Sequence, residues 1–406
     1  MKLNIEHFFI ITISFIGTIF AKESDPLKIY IDADFSNHFE SSESIERGLK
    51  VALNSNNFTL LNRKVKLVRK DHRGNSARSE RHIKQYLKDP NALAMFSGIH
   101  SPPLLAHREF INKNNVLFLV PWAAAGPITR YPSPTNSIFR LSIDDTKAGA
   151  VIINFAIKQK KFKKPFLLLE NTGWGKSNKK TMTSALKKLN IENYKIKTFN
   201  WGLKETGAKS IIWEAINENS DVIILVANSI EGQIISKAIA SFPKDKTLPL
   251  LSHWGIIGGN FHKHVSHEIR EKIDLHFIQT SFSFLNPNLT KYQQDVFENT
   301  KALIPAIKNK GDILAPTGFI HAHDLGLLLI EAAKNIQKPE DAIVNLRASL
   351  RTALENISSP VKGLIKTYNN PFKTFDVNNP DAHEALGSND FRMAKFNEKN
   401  EIILVP

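Results

Sequence analysis

Cysteine is absent from all 406 residues, and that absence removes several chemistries at once. No disulfide framework, thiolate nucleophile or cysteine-ligated metal site can exist here. A lipid carried on an N-terminal cysteine is excluded as well. The uncharged apolar run Phe8 to Phe20 is shorter than the roughly 20 residues that a membrane helix needs, and no comparable run follows it. Familiar catalytic signatures are also missing. Gly173–Ser177 (GWGKS) looks like the end of a phosphate loop, but the glycine needed five residues before Gly175 is Glu170. There is no G-x-S-x-G elbow. His267–Glu271 (HEIRE) and His383–Gly387 (HEALG) begin like a zinc helix and lack its second histidine. Gly255–Gly259 (GIIGG) does not fit a dinucleotide fingerprint. His253, His262, His264 and His267 form the densest histidine group. Few carboxylates flank it, so neither a metal nor a cofactor is expected.

What is present is an ordinary globular balance, with 42% hydrophobic and 23% charged residues. Lys and Arg number 54 against 39 acidic residues, a formal net charge of +15. Such a surplus raises the question of nucleic acid or anionic lipid. The lysines are scattered, however, and the densest groups, Lys158–Lys164 and Lys176–Lys180, fall at expected helix ends and loops, so no nucleic-acid partner is expected. Lys2, the Phe8–Phe20 run and the small Ala21 have the layout of a secretory signal. Residues 1–21 are therefore expected to be cleaved near Ala21, leaving a free periplasmic protein, recovered as a soluble monomer.

From Leu27 onward, short apolar strands alternate with helices: strands at 27–33, 64–71, 92–98 and 116–121, then 166–170, 195–201, 222–228, 248–253 and 274–282. Helices are expected at 42–54, 76–87, 103–112, 148–157, 179–189, 208–217, 231–241 and 320–335. Strands apolar on both faces imply parallel sheets covered by helices. With 406 residues, two α/β lobes are expected, each binding ligands outside the carboxyl ends of its strands. Asp381–Leu386 (DAHEAL) is expected to lie exposed in a polar tail.

The order of these elements, with Phe96–Thr129, Ile138–Asp145 (IFRLSIDD), Glu170–Asn178 (ENTGWGKSN) and His321–Asn335, resembles the type I periplasmic binding proteins, leucine/isoleucine/valine branch. The resemblance spans roughly Leu27 to Phe372. It implies two doubly wound parallel-sheet lobes joined by three crossovers, near Ile143, Gln279 and Ser358. The N-terminal lobe would comprise 26–142 and 280–356, and the C-terminal lobe 143–279 and 357–406. It also implies a substrate-binding subunit that closes around a small amino-acid-like or aromatic/amide ligand, passes it to the membrane permease of an ABC importer and catalyses nothing. The other reading is a ligand-sensing or scaffold receptor with a protein partner and no transport role.

By position, Ser101 falls where the family's serine binds a carboxylate; followed by Pro102 and Pro103, it also suits a helix start, as ligand contact or as cap. Trp122, Ala123 and Ala124 occupy the family's ligand loop, with Ala124 in place of a hydroxyl residue. Trp174 matches a tyrosine that covers the ligand, and Trp254 stands where amino-acid binders carry a glutamate for the ammonium. Asn228 ends a strand, as a polar contact or a turn residue. Without that glutamate and hydroxyl, a plain branched-chain amino acid is not the expected ligand. A pocket walled by Trp122, Trp174 and Trp254 is.

Overall fold

The computed structural model describes residues 25–340 and 342–405. The expected secretory signal and its cleavage near Ala21 lie outside the described residues. Among them, no helix is long and apolar enough to cross a membrane.

The chain begins with β1 (Leu27–Ala33), α1 (Phe39–Asn54), β2 (Thr59–Leu60), β3 (Arg63–Asp71), α2 (Ser76–Lys88), β4 (Ala92–Ser97), α3 (Ser101–Lys113), β5 (Phe118–Val120) and β6 (Ile138–Arg140). These strands make one sheet, ordered β2-β3-β1-β4-β5-β6 and parallel except for β2. Strand β4 is buried along its whole length, as a parallel strand covered on both faces requires.

The chain then passes to α4 (Asp145–Asn154), β7 (Pro165–Glu170), α5 (Gly173–Lys188), β8 (Lys195–Phe199), α6 (Glu205–Asn217), β9 (Val222–Val226), α7 (Ser229–Ala240), β10 (Leu250–Ser252), α8 (Phe261–His264), α9 (His267–Lys272) and β11 (His276–Thr280). After β11 come α10 (Lys291–Leu303), α11 (Pro316–Lys334) and α12 (Ile343–Glu355), of which α11 packs along α1 and α12 against β4. A small hairpin of β12 (Val361–Lys362) and β13 (Thr367–Tyr368) follows. The chain returns to the second sheet as β14 (Phe391–Phe396) and β15 (Ile402–Leu404). That sheet runs β15-β14-β11-β10-β9-β7-β8, parallel apart from its last two strands. The fold is thus two doubly wound parallel-sheet lobes, with the chain passing three times between them.

The stretch before β14 corrects the expected exposed tail. Ala382, His383, Ala385 and Leu386 are buried. The Arg140 N–H donates to the His383 carbonyl and the Ala385 N–H to the Arg140 carbonyl, both at 2.9 Å, so the segment pairs with the end of β6. The fully buried Arg140 donates twice to Glu384, at 2.9 Å from Nε and 2.6 Å from Nη2. Its Nη1 donates to the carbonyls of Ala123 and Ala125 at 3.2 and 2.9 Å. A guanidinium this deep is held by filling its donors with a carboxylate and carbonyls.

Helix α5 begins six residues earlier than the sequence pattern suggested. Thr172 caps it, its hydroxyl accepting the Gly175 N–H at 3.3 Å. A Cβ on Gly175 would lie 1.8 Å from the Glu170 carbonyl oxygen, so only glycine lets the helix start this close to the strand end. Gly175→Ala is expected to cost about 1–3 kcal/mol by forced displacement, read as a lowered melting temperature.

Candidate functional site

Strand order places the site. In the first sheet the order reverses beside β1, between β3 and β4, and in the second beside β7, between β8 and β9. Crevices at such switch points, beyond the carboxyl ends of the strands, are where doubly wound sheets take ligands. The first crevice carries Asp34 after β1 and His100 and Ser101 after β4; the second carries Glu170 at the end of β7 and Asn228 after β9. The two face each other. Trp201, after β8, sets its indole 5.5 Å from the His100 ring.

Ser101 is buried at the first position of α3, and the preceding His100 is the N-cap residue. Its hydroxyl accepts the Ala125 N–H at 3.2 Å, tying the helix to the loop after β5 rather than capping α3, and keeps a proton to donate. Ser101→Ala is expected to lower stability by about 1 kcal/mol and to weaken ligand binding. Unchanged affinity with a lowered melting temperature would restrict the hydroxyl to a structural role.

Trp122 and Trp254 are both buried and meet ring to ring at 6.0 Å across the lobe junction. The Trp122 indole nitrogen is buried without a partner, as is His321 Nε2, whose ring lies 5.4 Å from Trp254. Ala123 and Ala124 are buried in the loop that Arg140 holds. Trp174 is buried in the first turn of α5 rather than in a loop, and donates to Asp145 Oδ1 at 3.1 Å. His253 Nδ1 accepts the Trp254 N–H at 3.0 Å, which places the imidazole proton on Nε2. That nitrogen stands 3.2 Å from Asp145 Oδ1, outside hydrogen-bonding angles. Burial pushes the Asp145 carboxyl above its ordinary value, against the pull of His253. Asn228 is the N-cap residue of α7 and approaches Glu170 Oε2 at 3.5 Å.

Position-by-position reasoning missed Asp34, His38, His100, Asp145, Glu170 and Trp201. Their signal was available: Asp34 and Glu170 are carboxylates at the ends of apolar strands. Glu170 accepts from the Thr172 hydroxyl at 2.6 Å and from Trp201 Nε1 at 3.1 Å. Burial nonetheless pushes its carboxyl up to about 7. His262, His264 and His267 do not join His253: among the described residues, the one group of three His, Asp or Glu side chains close enough to share an ion is Asp34, His38 and His100. A shallow pocket of ≈ 50 Å³ on the flank of the junction is lined largely by apolar groups such as Ile257, Phe284, Ile313 and Phe396. It lacks the convergent polar groups of the switch points.

The sequence matches the periplasmic binding protein family over residues 34–261, more than half of the chain, and this protein belongs to that family. Similar solved structures support the fold. A type 1 periplasmic binding protein from Bordetella pertussis Tohama I superposes with a TM-score of 0.77 at 15% identity, covering 94% of this chain and 100% of that one. A solute-binding protein of an ABC transporter from R. palustris, in complex with benzoate, gives 0.73 at 15% identity over 94% and 96%. The branched-chain amino acid binding protein LivJ from Streptococcus pneumoniae, in complex with isoleucine, gives 0.70 at 16% identity over 94% and 100%. No curated protein matches the sequence.

Proposed function

We propose that this protein is the periplasmic solute-binding component of an ABC importer and holds a small organic ligand between its two lobes without transforming it. The observation that carries this reading is the meeting of two switch-point crevices, with Trp201 of one lobe over His100 of the other. The lobes are taken as 26–142 with 280–356, and 143–279 with 357–406, the 381–386 stretch of the second pairing with β6 of the first, and they move about their crossovers by hinge closure. Ser101, Trp122, Ala123 and Ala124 would serve the ligand from the first lobe; Trp174, Asn228 and Trp254 from the second. The fold neighbours include a protein in complex with isoleucine, another in complex with benzoate and a fatty acid ABC transporter substrate-binding protein, so the fold alone does not select the ligand. The site's chemistry favours an amino-acid-like, aromatic or amide compound other than leucine, isoleucine or valine. Ala124 offers no hydroxyl and Trp254 no carboxylate, while the indoles offer apolar faces and a quadrupole for a cation.

A thermal-shift screen of amino acids, aromatic acids, amides and amines tests this. A ligand bound only to the folded state raises the melting temperature by mass action. A saturable rise with one class is expected. Stabilisation by leucine, isoleucine or valine at micromolar concentration would reject the ligand assignment. No response to any class, with a protein partner captured instead, would favour the receptor or scaffold reading. The mature chain is expected to begin near Lys22 and to be released as a soluble monomer by osmotic shock; N-terminal sequencing that found Met1 in a membrane fraction would contradict export with cleavage.

A further inference from the structure

Three buried side chains converge where the carboxyl ends of β1 and β4 meet. Asp34 Oδ2 lies 3.4 Å from His38 Nδ1 and 3.2 Å from His100 Nε2. All three residues are at most 5% exposed, and one ligating atom from each fits within a 4.8 Å span. These separations are long for hydrogen bonds to a carboxylate, which run about 2.7–2.9 Å when charge-assisted. They do match the edge of a tetrahedron around a late divalent metal, about 3.3 Å for metal–ligand bonds of about 2.0–2.1 Å.

The surroundings orient the carboxylate and leave the imidazole lone pairs open to an ion. Asp34 Oδ1 accepts the Asn37 N–H at 2.8 Å and Asn37 Nδ2 donates to both carboxylate oxygens at 3.2 Å, which holds the carboxylate with Oδ2 toward the imidazoles, as outer partners orient a metal-binding carboxylate. The far nitrogens, His38 Nε2 and His100 Nδ1, are buried without a protein partner. Neither ring is therefore committed to a tautomer that would block a lone pair toward Asp34. The space beside the ligating atoms is bordered by Gly74: a Cβ there would stand 3.6 Å from Asp34 Oδ2 and 3.7 Å from both His100 Nε2 and Trp201 Cζ3. His72 is spoken for, its Nδ1 accepting the Gly74 N–H at 2.9 Å.

We infer that Asp34, His38 and His100 form a binding site for one divalent late transition metal of the zinc type, with Trp201 of the second lobe beside it. Two imidazoles and one carboxylate are the donor set such ions prefer, and with no cysteine in the chain the site cannot be thiolate-based. Three protein ligands leave a coordination position free for water or a solute donor atom. The site rests on the first lobe's own side chains and not on the solute-binding reading. An organic ligand that stabilises metal-stripped protein would leave that reading intact whatever becomes of this one.

Calorimetric titration of the chelator-stripped mature protein with Zn²⁺, and absorption with Co²⁺, test the site. One ion per chain with a dissociation constant of about 1 µM or tighter is expected, and Co²⁺ should give the intense visible bands of a four- or five-coordinate site. His38→Gln and His100→Gln should each weaken binding by at least about 100-fold, since loss of an outer partner alone costs 10–100-fold. The double variant His262→Gln/His264→Gln should bind like the parent. Circular dichroism establishes that each variant is folded; if His100→Gln is not, His38→Gln and the parent's Co²⁺ spectrum decide. Failure of the parent to bind one ion, weak octahedral Co²⁺ bands, or binding lost with His262 and His264 while surviving His38→Gln would each overturn the assignment.

Discussion

Glu384→Ala is expected to destabilise the fold by about 3–5 kcal/mol, because it leaves the Arg140 guanidinium buried without its carboxylate. Arg140 is fully buried, and the pair joins residues 244 positions apart. Chemical denaturation of parent and variant measures the loss. Thr129 also donates to Glu384 Oε1 and would lose its acceptor. The carbonyls of Ala123 and Ala125 remain bonded to Arg140 but cannot neutralise it. Asp144 is the nearest substitute, its carboxylate 3.6 Å from Arg140. It is already engaged: burial alone would raise its carboxyl, yet Arg140, Arg130 and Lys147 hold it well below the usual carboxylate range. Replacing both partners by leucine should recover much of the lost stability, since the buried charge is then gone. If Glu384→Ala unfolds at the parent's denaturant midpoint, the Arg140–Glu384 pair is not what holds β6 to the loop carrying Ala123 and Ala125.

The second large effect depends on pH. Glu170 has an ordinary carboxyl value of 4.5, raised to about 7 in the fold by burial, so the protonated form is favoured when folded. Above pH 7 the side chain is ionised in both folded and unfolded chains, and folding carries the full cost of burying the charge, about 3 kcal/mol. As pH falls from about 7 to about 4.5 that cost fades; below 4.5 both states are protonated and it is gone. Glu170→Gln should therefore be more stable than the parent at pH 8 by up to about 3 kcal/mol. Its advantage should shrink steadily toward pH 4.5. Thr172 can rotate to accept from the new amide while the amide oxygen keeps Trp201. A difference independent of pH would mean that Glu170 does not titrate in this window. A carboxyl kept buried at such a cost, beside Trp201 and Asn228, fits a site where stability is given up for binding.

Much of this fold is legible in the sequence because its signals are local. LKIYIDA and VIILV lie where the apolar pattern put strands, and the alternation with helices gives the doubly wound sheets. What escaped depends on distant partners. The start of α5 reads as a loop because GWG lacks helix formers, yet the missing Cβ of Gly175 is what lets that helix pack on Glu170. The 381–386 segment reads as a polar tail because its acid and imidazole find Arg140, Phe139 and Glu355 only after folding; the His383 ring stacks 3.9 Å from Phe139. Asp34 and His38 lie four residues apart and His100 66 positions from Asp34, so no short motif announces the three together. Ser101, Trp122 and Trp254 came from resemblance, and the structure puts all three at the lobe junction.

Tryptophan emission reads the central claim most directly, because Trp122, Trp174, Trp201 and Trp254 sit at the junction. Trp213 lies apart, stacked on Phe242 and half exposed. In Trp213→Phe protein, titration with the solute that raises the melting temperature should give a saturable change in emission, with the affinity found by calorimetry. A solute that stabilises the chain and binds by calorimetry while leaving this emission unchanged would place its site away from the two facing crevices and contradict the account.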